Sequence, residues 1–224
     1  MNKKIIGVFC FLLIFLGIIT HATKSITYTP IKTIGNTYLI ENAEKESTRG
    51  WVPFDQISFE GASNWGLQTE NIKMNKEIGV GSIMIRGKTS NWYCGKIATR
   101  LAKKGVDFGK YNALQMYIYG YGAQSGIIEI KLSDDDKGTG KFDPLFDDMF
   151  GYKLIVDWSG WKIVTIPFSE FKLDPKSQGN RKLNLSKKNG KGGLHHLELL
   201  FTASKKVGSV KYNLDQISLV KIKE

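Results

Sequence analysis

Residues 147–171 read DDMFGYKLIVDWSGWKIVTIPFSEF. Two runs of alternating residues flank DWSG, and the second run stops at Pro167. Successive side chains of a strand point to opposite faces, so a period of two bounded by Asp, Ser and Gly is the signature of strands and turns. Only PFSEF, which follows, looks like a single helical turn.

The same pattern extends outward in both directions. YNALQMYIYG sets Leu114, Met116 and Ile118 on one face and Gln115, Tyr117 and Tyr119 on the other. In GIIEIKLS, Ile128, Ile130 and Leu132 oppose Glu129 and Lys131. GSIMIRG, LHHLELLFT and SVKYNLDQISLVKI continue the series. No long window outside the N-terminal segment has helical periodicity. Many short strands and almost no helix predict an all-β domain, a two-sheet β-sandwich or jelly roll. The 24 Gly and 5 Pro suit a turn-rich β protein, and 224 residues suffice for one domain.

The chain starts MNKKIIGVFCFLLIFLGIITHATKS. Lys3 and Lys4 precede an apolar run from Ile5 to Ile19, too short for an ordinary spanning helix. Thr20 and Ala22 have the spacing a signal peptidase accepts. Residues 1–22 are therefore expected to be a signal peptide, giving a secreted, periplasmic or cell-envelope protein. An uncleaved anchor is the alternative, and the only route to a membrane. Residues 23–50 read as a linker or edge-strand lead-in, and 51–224 as the binding domain. Cleavage would leave Cys94 as the sole cysteine, so no intrachain disulfide could form. Cys94 is read as a small buried hydrophobe.

The formal net charge is +11. Twelve Lys/Arg lie between Lys172 and Glu224, against Asp174, Glu198, Asp215 and Glu224. A basic surface of this kind attracts polyanions. No nucleic-acid motif accompanies it, so an anionic envelope polymer or protein is the expected alternative partner.

Enzyme signatures are missing. His21 belongs to the signal segment, and His195 and His196 are adjacent in a strand, which should send their rings to opposite faces. There is no GxSxG or HExxH motif. A glycosidase would need two carboxylates across a cleft. Asp134–Asp136 with Asp147 and Asp148 supply acids, and a glycan-active enzyme is the weakest reading.

Calcium takes hard oxygen ligands and would stabilise a sandwich that lacks disulfides. Glu60 in SFEG and Asp215 in NLDQI are the metal candidates, near the start and end of the sandwich; the acidic 133–148 loop is a second. For a sugar, the stacking candidates are Trp92 and Tyr93 in SNWYCGK, then Tyr152 and Phe201 in other strands, with Asp147 and Asp148 as polar partners. Tyr117, Tyr119 and Tyr121 form a further stripe.

FEG..NWG, NWYCGK, YNALQMYIYG, DWSGWKIVTIPFSEF, LNLS and YNLDQISLV, in this order, resemble family 11 carbohydrate-binding modules. They are also similar to the domain named after complex I intermediate-associated protein 30, another galactose-binding-like jelly roll. The likeness spans about Phe54 to Val220. It implies a jelly roll with structural calcium on Glu60 and Asp215 and a concave sheet gripping a glucan. It also implies that the strand pair around DWSGW is scaffold, with Trp161 and Phe168 in the core. The expected function is that of a secreted, non-catalytic polysaccharide-binding module of β-glucan type.

Overall fold

The computed structural model describes residues 35, 37–43, 51–54, 67–71, 81–101, 106–187 and 192–223. The N-terminal segment read as a signal peptide, and Glu60, lie outside these residues. In chain order the strands are β1 (Tyr38–Glu41), β2 (Trp51–Phe54), β3 (Leu67–Asn71), β4 (Gly81–Thr89), β5 (Tyr93–Arg100) and β6 (Ala113–Tyr121). They continue as β7 (Gly126–Asp134), β8 (Met149–Val156), β9 (Ser159–Pro167), β10 (Lys172–Leu173), β11 (Leu194–Thr202) and β12 (Gly208–Val220). One 3-10 turn, Phe168–Glu170, follows β9 where PFSEF predicted it.

Two six-stranded antiparallel sheets result. The first runs β3-β4-β12-β6-β9, with β1 also paired to β12. The second runs β10-β8-β7-β11-β5-β2. The sandwich is therefore the β architecture that the alternation predicts.

The inward faces carry the apolar half of each pattern. From the first sheet come Ile83, Ile85, Leu114, Met116, Ile118, Val164, Ile166, Tyr212 and Leu214. From the second come Ile97, Ile128, Ile130, Leu132, Leu154, Leu197, Leu199 and Phe201. Cys94 joins them with no exposure, and burial pushes its thiol up to about 11.

The opening stretch joins the two sheets. β8 and β9 flank DWSG yet belong to opposite sheets, so this turn carries the chain across the sandwich. Trp158 is the reason. It is buried at the crossing, its indole N–H donates to Ile118 O at 3.4 Å, and its own carbonyl accepts the Gly122 N–H at 2.8 Å. Gly120 must be bare here, because a Cβ would collide with the Trp158 carbonyl.

Phe168 is in the core, as expected. Trp161 is not: it pairs in register with Tyr119, on the outer face of the first sheet. Phe201 was expected to stack on sugar but is 0% exposed, with its ring 5.7 Å from that of Tyr212. Truncating so large a core side chain leaves a cavity. Phe201→Ala should cost about 3–5 kcal/mol in chemical denaturation. A loss under about 1 kcal/mol would contradict this placement.

Candidate functional site

The acids of β7 and β8 meet at one end of the second sheet. Asp134 ends β7, and Asp148 precedes β8. One carboxylate oxygen from each of Asp134, Asp136 and Asp148 lies within 4.8 Å of the others. The polar loop after β10 closes over them and donates its backbone. Asp134 Oδ2 accepts the Asn184 N–H at 2.6 Å, Asp136 Oδ2 that of Asn180 at 2.9 Å, and Asp148 Oδ1 that of Gly179 at 3.1 Å. Asp148 Oδ2 also accepts the Arg181 N–H. The amides of Asn180 and Asn184 both donate to Asp136 Oδ1 at 2.5 Å. Gly179 is required, since a side chain there would run into the Asp136 and Asp148 carboxylates. A cleft of about 350 Å³ beside the cluster is lined by Asp135, Asp136, Asn180, Asn184 and Ser186.

Burial pushes the Asp134 carboxyl up to about 7; the Asn184 N–H opposes that rise, and the neighbouring Asp136 and Asp148 charges add to it. Three hard oxygens in a partly desolvated group form a donor set that can bind a divalent metal. Asp147, expected to contact sugar, is buried and accepts the Asp136 and Asp143 N–H groups at 2.9 and 2.6 Å, so it shapes the loop. Asp148, expected in the same role, is equally buried and faces the acidic cluster. Of the metal pair expected from the sequence, Asp215 is buried on the outer side of β12, its Oδ1 accepting the Gln216 N–H at 2.7 Å.

The two histidines correct the alternation argument. A bulge between Leu194 and His196 puts His195 out of register with β7, and the two Nδ1 atoms meet at 2.6 Å. Gly140 O can only accept, so His195 Nε2, 2.9 Å away, carries a proton. In a neutral His195 the Nδ1 is then the acceptor, and His196 Nδ1–H the donor. Burial and the neighbouring His195 hold His196 down at about 4.

The aromatic candidates separate. Trp92 is 49% exposed, between β4 and β5, with φ at +64°. Its N–H donates to Lys206 O at 2.9 Å, and its carbonyl accepts the Ala203 N–H at 2.8 Å. Tyr93 pairs with Thr202, on the outer face of the second sheet, where Lys96 and Glu198 form an ion pair at 3.2 Å. Tyr152 was expected beside them, but pairs with Ile130 and turns inward, its ring 5.7 Å from Phe171. Tyr93 is thus on the outer face, with Trp92 next to it in the chain, whereas Tyr152 and Phe201 are on the inner side of that sheet.

A second aromatic group assembles on the outer face of the first sheet. Tyr119 lies 4.9 Å from Tyr121 and 5.4 Å from Trp161, both edge to face. Tyr121 donates its hydroxyl to Asn213 Oδ1 at 2.8 Å, and the Lys211 ammonium sits 4.0 Å from its ring centre. The tyrosine stripe is visible in the sequence. Trp161 joins it only through the β6–β9 register, since both phases of WKIVTIP contain apolar residues.

No known family model matches the chain, and no curated protein does. Solved structures do. A family 11 carbohydrate-binding module from Clostridium thermocellum, in complex with a β-1,3-1,4-mixed-linked tetrasaccharide, aligns over 86% of this chain and 99% of its own, with TM-score 0.56 and 17% identity. The family 11 module of cellulosomal cellulase Lic26A-Cel5E of the same organism aligns over 86% and 98%, at TM-score 0.54 and 16% identity. The family 30 module of cellulosomal cellulase Cel9D-Cel44B, also from Clostridium thermocellum, aligns over 81% and 97%, at TM-score 0.51 and 14% identity. The chain shares their fold, the galactose-binding-like β-sandwich jelly roll.

The two buried sites titrate with opposite sign. The folded His196 binds fewer protons than its unfolded counterpart, so its stability contribution is present above pH 6.5 and lost as pH falls toward 4. The folded Asp134 binds more, so its contribution is present below about pH 4 and lost as pH rises to 7. In chelator, His196→Gln should gain stability relative to wild type as pH falls from 6.5 to 4. Asp134→Asn should gain as pH rises from 4 to 7, each by at most about 1.4 kcal/mol per pH unit. Parallel profiles for wild type and both variants would contradict the two assignments.

Proposed function

From that jelly-roll fold we propose an exported, non-catalytic module that binds a polysaccharide of the β-glucan class. The carrying observation is Trp92. A large apolar ring is half exposed on a left-handed backbone that two main-chain bonds hold in place. Left-handed φ costs a bulky residue energy and persists where the surroundings enforce it. The backbone thus holds the ring at a fixed place on the surface, where its face can stack on the C–H face of a sugar. Tyr93 and the Lys96–Glu198 pair extend this edge along the outer face of the second sheet, offering hydroxyl and charged partners for sugar hydroxyls. Export rests on the basic and apolar N-terminal segment, and the family 11 neighbour's tetrasaccharide supports the glucan class.

Trp92→Gly removes the ring and relieves the backbone, so loss of binding would not reflect unfolding. Wild type should be retarded in gels containing mixed-linked β-glucan, and Trp92→Gly should run as in glucan-free gels. If wild type is not retarded by soluble β-glucans, or the variant is retarded equally, the proposal fails.

Calcium is the metal that suits the acidic cluster. Asp134, Asp136 and Asp148 would hold it, and turning over the Asn180 or Asn184 amide would add a neutral oxygen. The ion would neutralise the carboxylates and tie the two long loops together. Calcium at a hundredfold excess over its Kd should raise the Tm of chelator-treated protein by about 5–10 °C. Asp148→Asn should abolish that shift.

A further inference from the structure

We infer that the outer face of the first sheet is a second binding surface, separate from the Trp92 edge, and that it takes an acidic polysaccharide strand. Register places the side chains of this face in rows across four strands, about 4.8 Å apart from strand to strand. One row runs Ser159, Tyr121, Lys211, Arg86, its middle two joined by the Lys211 ammonium over the Tyr121 ring. The next runs Trp161, Tyr119, Asn213, Met84. A third holds Ile163, Tyr117 and Asp215. Among the described residues only parts of this face reach solvent. Tyr121, Lys211, Lys88 and Ser159 are exposed, while Tyr119 and Trp161 are half-buried. Asn213, Met84 and the acidic Asp215 are buried. The accessible corner thus combines rings with cations; Asp215 is hidden, and Glu70 of β3 pairs with Ser82, six residues along β4 from Lys88.

Each feature selects the ligand. Trp161 and Tyr121 flank Tyr119 edge-on, which gives stacking surface spread over two strands rather than one flat ring. The exposed residues Ser159, Tyr121, Lys211 and Lys88 lie one on each of four neighbouring strands, so this corner suits an extended chain better than a small molecule. The Tyr119 and Tyr121 phenol oxygens can accept from sugar hydroxyls. Lys211, held over the Tyr121 ring, and Lys88, two residues along β4 from Arg86, supply positive charge for carboxylate, sulfate or phosphate substituents. The charge that remains once Lys3 and Lys4 leave with the signal segment, 30 basic against 21 acidic residues or +9, adds long-range attraction.

The test is affinity electrophoresis on polygalacturonate and, separately, neutral β-glucan. Wild type should be retarded by polygalacturonate. Trp161→Ala should weaken this by about tenfold and Lys211→Gln by roughly fivefold. A control lacking two exposed cations elsewhere, Lys176→Gln with Lys221→Gln, should behave as wild type. Trp92→Gly should leave polygalacturonate binding intact while abolishing glucan binding, which separates this surface from the proposed glucan edge. Retardation that the control weakens as much as Lys211→Gln, or that Trp161→Ala leaves unchanged, would reduce the effect to bulk charge and overturn the inference. So would absence of retardation by polygalacturonate, whatever the result with glucan.

Discussion

The fold depends on β12 keeping its apolar side chains inward across a break in phase. This strand of 13 residues lies between β4 and β6 and also receives β1, so it fixes the register of most of the first sheet. Up to Asp215 its even-numbered residues, Tyr212 and Leu214, face the core. At Gln216 the backbone turns left-handed, with φ at +46°, and the pairing with β6 slips between Asp215 and Ser218. Beyond the bulge the odd-numbered Ile217 and Leu219 face inward. An unbroken period of two would have sent those side chains outward. The inserted residue keeps the strand apolar on the correct side, and it leaves Asp215 buried on the outer face.

The same device explains the polar end of the sandwich. A bulge at the start of β11 brings two imidazoles together near Gly140, in the loop that Asp135 also shapes through the Thr139 and Gly140 N–H groups. In the loops 134–148 and 174–187, Leu183 and Leu185 pack against the core, but Leu145 and Phe146 stay exposed. Carboxylates bonded to backbone N–H groups replace a core there, with Asp134, Asp136, Asp147 and Asp148 taking that part. Their mutual repulsion and desolvation make this corner sensitive to its ionic surroundings.

Strand positions and the sheet-facing halves of β6 and β7 were legible from alternation alone, because each places three large aliphatics two apart and polar groups between them. The resemblance in the order of motifs pointed to the same jelly roll. Site residues were less legible, and for identifiable reasons. In LHHLELLFT, Leu199, Leu200 and Phe201 are consecutive apolar residues, so phase is ambiguous until Ile97 and Ile130 fix which side is inside. Tyr152 likewise follows its partner Ile130 inward. Trp161 needed the register with Tyr119. The histidine contact depends on a bulge that no spacing announces. The acidic loop was visible as a cluster, but which of its acids converge is set by the distant Gly179–Asn184 segment.

The thiol at Cys94 has one more consequence. With its ionisation displaced to about 11, only about one molecule in ten thousand would carry a thiolate at neutral pH. The side chain is also sealed from solvent. Thiol–disulfide exchange and peroxide attack both proceed through an accessible thiolate. The Cys94 thiol of the folded domain is therefore shielded from exchange and peroxide, so it would not form mixed disulfides with neighbouring proteins.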